Sequence, residues 1–248
     1  MRLYKDLSWL WPIISPPETY IFEGDLLIQK IKEYGGNDIK TALNLGCGGG
    51  HLDWVIKKAF DLTSIDISRD MMNLATKLNP EVEYIFGDMR SARLGRLFDT
   101  VVLHDAVIHM TTIDDLTLAF RTAYEHLRPG GVFVTYVEEW PEHFIQNRTE
   151  TSLHKKDDLE VTFIENNYDP DPTDTNYECT FVYLLRQKGK LDIQMDKMIL
   201  GIFPVEFWIG AMRKVGFEVH ESNMTLSKLP DSLSSEKETY PMLIGIKK

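Results

Sequence analysis

The residues best suited to chemistry in this chain are Gly46-Cys47-Gly48-Gly49-Gly50, then Asp66, Asp88, and the group His104, Asp105 and His109. Glycine tolerates positive φ in a tight turn and lets a ligand approach bare backbone, and a helix following such a turn offers unpaired N–H groups. Asp66 stands twenty positions beyond Gly46 at the end of an apolar run, where a carboxylate can accept both hydroxyls of a ribose. Asp88 ends a second such run. His104 and His109 are of the type that exchanges a proton near neutral pH, and Asp105 can attract a cation. These residues suit a nucleoside-cofactor site with a proton-exchanging or cation-holding group beside it.

The elements that must position them follow from hydrophobic periodicity. After a helix over about 20–34, strands near 41–46, 62–66, 82–86, 98–103 and 131–137 alternate with helices near 50–60, 69–78 and 113–127. This alternation predicts an α/β fold with a mostly parallel sheet covered on both faces, binding ligands beyond the carboxyl ends of its strands. After Pro141 the pattern turns β-rich over 149–154, 159–166, 177–186 and 191–200, which predicts an antiparallel insertion after the fifth strand. A helix over 204–215, a short strand at 216–219 and a last strand at 240–246 complete the chain, with 232–238 as a loop. The expected division, within a single domain, is 1–40 as an aromatic N-terminal segment and helix over the cleft, 41–140 as the binding core, 141–203 as the insertion and 204–248 as completion of the core.

Glycine spacing separates two cofactor classes. The dinucleotide pattern G-x-G-x-x-G needs a small residue at position 51, and this chain has His51. Gly46 to Gly50 has the form G-x-G-x-G, which resembles the first motif of class I S-adenosylmethionine (SAM) dependent methyltransferases, a Rossmann-like family. Later segments are similar to the family's in order: Asp66-Ile67-Ser68-Arg69-Asp70-Met71, Gly87-Asp88-Met89-Arg90, Phe98 to Leu103, and Leu127-Arg128-Pro129-Gly130-Gly131. The resemblance implies SAM as cofactor, S-adenosylhomocysteine (SAH) as product, and cofactor contacts from Leu45, Gly46, Cys47, Gly48, Gly50, Asp66, Ile67, Met71, Gly87, Asp88, Met89, Leu103 and His104. Asp66 would hold the ribose and Asp88 the adenine amino group. The chain departs from the family at Asn44, where an acid commonly helps to hold the methionine ammonium.

The insertion narrows the resemblance to small-molecule N-methyltransferases of the amino-sugar and glycine type, which implies an amine acceptor. In that branch the insertion shapes the acceptor pocket and often supports a homodimer. Trp11, Tyr20 and Asp105 are then candidate substrate contacts, and His104 or His109 a candidate base. Each has a structural alternative: the aromatic segment as a flap on the core or on a partner, His104 as cofactor packing, His109 as a helix cap. A non-catalytic SAM- or partner-binding module of the same fold and an NAD-dependent oxidoreductase stay open beside the enzyme reading.

Composition narrows the partners. Lys and Arg number 27 against 38 Asp and Glu, a net charge of −11, which argues against broad nucleic-acid binding. The two cysteines, Cys47 and Cys179, suggest neither a metal site nor a disulfide framework, and a reducing cytoplasm is the expectation. No metal-ligand spacing is found among the histidines. The apolar stretch over 7–14 is short and interrupted by Pro12, so it reads as neither a signal peptide nor a membrane span.

Overall fold

The computed structural model describes residues 1–227 and 237–248. Five strands, β1 (Thr41–Leu45), β2 (Asp61–Asp66), β3 (Glu83–Phe86), β4 (Phe98–Leu103) and β5 (Leu127–Tyr136), lie side by side and parallel in the spatial order β3-β2-β1-β4-β5. Strand β11 (Lys237–Lys247) adds antiparallel to β5, and β10 (Phe217–Ser227) pairs antiparallel with β11 at the edge. Side chains alternate between the sheet's two faces, and each face has its own core. Leu43, Val101 and Phe133 face α5 (Ile113–His126) and α6 (Val205–Val215), where Phe120, Trp208 and Phe217 pack together. Ala42, Val102 and Val132 face α2 (Ile21–Gly35) and α3 (His51–Ile56), which contribute Leu27, Ile31 and Ile56. Near-continuous apolar strands are what burial on both faces requires.

The strand order reverses between neighbours β1 and β4, which pair from Ala42↔Thr100 to Asn44↔Val102. The turn after β1 and the loop after β4 therefore flank one crevice, where open α/β sheets bind ligands. Helix α4 (Arg69–Leu78) begins beside it, its first turn capped by Ser68 Oγ, which accepts from the Met71 amide at 3.2 Å.

The insertion forms a separate antiparallel sheet of β6 (Arg148–Lys156), β7 (Leu159–Tyr168), β8 (Asn176–Gln187) and β9 (Lys190–Gly201), in that spatial order. Its inner face covers the N-terminal segment, which contains a short helix α1 (Trp11–Ile14) between two single 3₁₀ turns. Leu3, Leu7 and Leu10 pack against Val161, Tyr183 and Leu185, and the Leu3 amide donates to Asp196 Oδ2 at 2.8 Å.

The boundaries depart from expectation in three places. Helix α3 stops at Ile56. Strand β5 starts at Leu127, paired with Phe98, and resumes after an irregularity at Val132↔Thr100, so the Arg128–Gly131 turn is carried within the strand. Strand β10 runs eleven residues because β10 and β11 pair over their whole length as a ribbon, whereas β5 meets only residues 242–246. The polar run His220-Glu221-Ser222-Asn223 hides that extension from periodicity. The loop expected over 232–238 lies outside the described residues except for its last two, which belong to β11.

Candidate active site

The ends of β1, β2 and β4 and the loop after β3 open onto a cavity of about 670 Å³, within the range of about 300–1,000 Å³ usual for small-molecule sites. Its floor is the glycine turn, held by Gly46 and Cys47 amides that both donate to the Ile65 carbonyl, at 2.8 and 3.0 Å. Gly46 has φ +78°, and a Cβ there would stand 2.3 Å from Ala106 Cβ and 2.8 Å from Met89 Cε. Bare backbone at this point is a steric requirement.

Asp66 ends β2 with each carboxylate oxygen on one amide: Gly48 donates to Oδ2 and Ser68 to Oδ1, both at 2.7 Å. Burial raises its pKa despite these bonds. Each oxygen keeps a further lone pair for a ligand hydroxyl. Asp88 reaches the cavity with Arg90 across both oxygens, Nη2 at 2.6 Å and Nε at 3.1 Å, and this hydrogen bonding holds its carboxyl below the usual range. Arg90 also reaches Asp115 at 2.9 Å, which ties the loop after β3 to α5. Asn44 lines the cavity and donates to Asp53 Oδ1 at 2.7 Å, while its own Oδ1 is buried without a partner. Burial pushes Asp53 up to about 6, against the Asn44 bond.

The two candidate bases are shifted in opposite directions. His104 is buried between carboxylates: Nδ1 is 2.8 Å from Asp105 Oδ1, and Nε2 is 3.2 Å from Glu23 Oε2, in ion-pair range without hydrogen-bond alignment. Burial alone would lower its pKa, but the charge of Asp105 and the close approach of both carboxylates outweigh this and raise it to about 10. His109 is also buried, and desolvation lowers it to about 4. Its Nε2 is 3.2 Å from the Tyr4 hydroxyl. Near neutral pH His104 is therefore an imidazolium and His109 a neutral imidazole, and neither titrates there.

The N-terminal segment closes the other side. Trp11 stacks on His51 with ring centroids 6.0 Å apart, Tyr20 meets the same ring edge-on at 5.9 Å, and Tyr4 meets His109 edge-on at 5.3 Å. Ser68 Oγ donates to the Tyr4 carbonyl, so the cap of α4 fastens the segment. Trp11 and Tyr20 thus cover the His51 ring where the helix after the glycine turn begins.

Most sequence-predicted residues meet at this cavity: Trp11, Tyr20, Gly46, Cys47, Gly48, Asp66, Ile67, Met71, Gly87, Asp88, Met89, His104, Asp105 and His109 line it. Three do not. Leu45 and Leu103 are fully buried in the core beneath the strand ends. Gly50, at φ +75°, caps α3, and a Cβ there would meet Asn79, Ala75 and Tyr84 on the far side. Glu23 and Tyr136, which hold His104 and Asp105, were missed; they come from α2 and β5, and no local spacing marks them. Among the described residues no group of His, Cys, Asp and Glu is placed to hold a metal ion, and no helix is long and apolar enough to cross a membrane.

This sheet order, with a glycine turn after β1 and acids ending β2 and following β3, is the class I methyltransferase fold. Residues 42–131 of the chain match the family of the methyltransferase domain. Over 124 residues it is 36% identical to a dTDP-3-amino-3,4,6-trideoxy-alpha-D-glucopyranose N,N-dimethyltransferase of Streptomyces venezuelae, covering 48% of this chain and 52% of that one. Over 112 residues it is 34% identical to a dTDP-4-amino-2,3,4,6-tetradeoxy-D-glucose N,N-dimethyltransferase of Saccharopolyspora spinosa, covering 44% of each. The chain spans about half the length of these curated relatives. Among solved structures, Streptomyces venezuelae DesVI superposes with a TM-score of 0.80 at 22% identity, covering 98% of this chain and 96% of that one.

Proposed function

We propose that this chain is a SAM-dependent methyltransferase acting on a small-molecule acceptor, an amine. The observation that carries the reading is the order in which one cavity meets the strand ends: Asp88 after β3, Asp66 on β2, the glycine turn after β1, and His104, Asp105 and His109 after β4. A nucleoside held at Asp88 and Asp66 directs the rest of a cofactor across the glycine turn toward the β4 loop. The residues present fit SAM. A Cβ at Gly48 would meet only Met71 Cε, at 3.5 Å, so the turn is open to a ligand there, Asp66 has lone pairs for the ribose, and the unpartnered Oδ1 of Asn44 is an acceptor for an ammonium where the family commonly has an acid.

When bound, SAM supplies an electrophilic methyl group: the acceptor's lone pair forms the new bond, the carbon–sulfur pair stays with sulfur, and the nitrogen's proton is lost afterwards. Alignment supplies much of the rate for such a displacement. The protein's part is to bind, orient and exclude water, which Tyr4, Trp11 and Tyr20 do by closing the cavity. With its pKa pushed down to about 4, its Nδ1 buried and its Nε2 on the Tyr4 hydroxyl, His109 is a poor base near neutral pH, and the imidazolium His104 is an orienting group. The amino-sugar activities named for the relatives support an amine acceptor, as does the likeness to SAM-bound CalS10, an amino pentose methyltransferase from Micromonospora echinaspora (TM-score 0.76, 20% identity, 92% of each chain).

The insertion is the proposed dimer surface. The outer face of its sheet exposes Leu153, Ile193, Met195 and Ile199, each about half exposed or more, an apolar patch of the kind that marks an interface. Two buried free cysteines fit a reducing cytoplasm. The test of the activity is to incubate the protein with methyl-labelled SAM and parallel panels of amines, alcohols and carboxylates, nucleotide-linked amino sugars among the amines. Label transferred in the amine panel with equimolar SAH is the expected result. SAM binding with no transfer to any panel would favour the non-catalytic reading.

A further inference from the structure

Asp105 is held from one side only. The Tyr136 hydroxyl donates to its Oδ1, and His104 Nδ1 approaches the same oxygen at 2.8 Å, so among the described residues both side-chain contacts fall on Oδ1. Its side chain is 42% exposed, and His104 behind it only 6%. That exposure is toward the cavity, whose wall Asp105 forms. The next residue, Ala106, is the one a Gly46 Cβ would strike, so Asp105 stands against the glycine turn.

The charge around it is not balanced. His104 is shared between Asp105 and Glu23, so two carboxylates face one imidazolium and one negative charge is left over. The titratable groups that feel the charge of Asp105 include Tyr4, Tyr20, Tyr136, His109 and Glu138; Lys5, Arg69 and Arg90 line the same cavity with Met1, Arg90 being paired with Asp88 and Asp115. Burial keeps the three phenols and His109 uncharged, and Glu138 adds no cation. A free carboxylate acts on charge placed beside it, the more strongly the less water lies between them.

Resting on the reading of this cavity as a SAM site, we propose that Asp105 is a positioning residue that recognises positive charge at the transfer end of the cavity, fixed for that role by Tyr136, His104 and Glu23. It favours the sulfonium of the cofactor and a nitrogen that becomes cationic on methylation, and it repels acceptors that place a carboxylate there. The acceptor class follows: amines without an acidic group next to the reacting nitrogen.

The test needs no acceptor. Sinefungin carries an ammonium-bearing carbon where SAM has its methylsulfonium, whereas SAH is neutral at that point. Calorimetric titration of the full chain with both gives an affinity ratio that is read on the folded molecules alone. Wild type is expected to prefer sinefungin about tenfold, equivalent to about 1.4 kcal/mol. Asp105→Asn should bring the two affinities within about threefold, and Asp105→Glu, which keeps the charge, should restore most of the preference. A wild type without preference, or an Asp105→Asn ratio equal to that of wild type, overturns the proposal while leaving the SAM site intact. If neither analogue binds, the SAM reading itself falls, and this inference with it.

Discussion

Gly46→Ala tests whether the glycine turn is a steric necessity, and its cost can be worked from the structure. A Cβ at φ +78° brings strain of about 1–2 kcal/mol. The same Cβ would lie 2.3 Å from Ala106 Cβ, which belongs to a short 3₁₀ turn rather than to a flexible side-chain end. Overpacking of this kind adds about 1–3 kcal/mol, for a total of about 2–5 kcal/mol. At about 2–4 °C per kcal/mol for a chain of this size, the Tm should fall by about 4–20 °C. Gly130→Ala is the matched control, because Gly130 has φ +77° but an added Cβ there meets nothing within 4 Å. It should show the strain alone, about 1–2 kcal/mol. Urea unfolding of the three proteins gives the difference directly, and SAH titration should show weakened binding in Gly46→Ala only. Equal losses of stability with equal SAH affinities would refute the argument that the turn must be bare where Ala106 crosses it.

Other outcomes follow from the same geometry. His104, raised from 6.5 to about 10, contributes stability that is fully present below pH 6.5 and is lost as pH rises through about 10. A one-proton linkage has a slope of about 1.4 kcal/mol per pH unit. His104→Gln should therefore flatten the wild-type decline across that window in denaturant titrations, and parallel slopes would contradict the carboxylate clamp. Asp53, raised from 3.8 to about 6, is costly to ionise in its buried place, so the penalty is present above pH 6 and disappears as pH falls toward 3.8. Asp53→Asn should stabilise the protein by about 1–3 kcal/mol at pH 8 and by little at pH 4; unchanged stability at both would refute the assignment. Ile193→Asp, on the outer face of the insertion, should convert a dimer to a monomer in sedimentation with the fold retained, and a monomeric wild type would remove the proposed interface.

What the sequence makes legible here is what short-range pattern can encode. Thr41 to Asp66 reads as strand, turn, helix and strand because its apolar run, its glycines and its terminal acid are all local, and the structure places them so. The insertion is legible because turns read at 167–172 and 187–190 interrupt β-rich runs. The state of His104 is not legible. Its type suggests titration near neutral pH, but Glu23 arrives from α2 and Asp105 is fixed by Tyr136 from β5, contacts that exist only once the sheet has formed. Gly50 shows a subtler failure: the motif marks the residue, yet its missing side chain makes room for α4 and Tyr84 rather than for a ligand. The polar end of β10 was hidden because a two-stranded ribbon beyond the sheet needs no buried face.

Ribose recognition at Asp66 is the step on which the account rests, and calorimetric titration with SAM, SAH and NAD, repeated on Asp66→Ala, tests it most directly. The account predicts micromolar binding of both sulfur nucleosides to wild type, no detectable NAD binding, and loss of about tenfold or more in the variant, as expected when a charged hydrogen-bond acceptor is removed. NAD binding without SAM or SAH, or SAM affinity unchanged by Asp66→Ala, would contradict it.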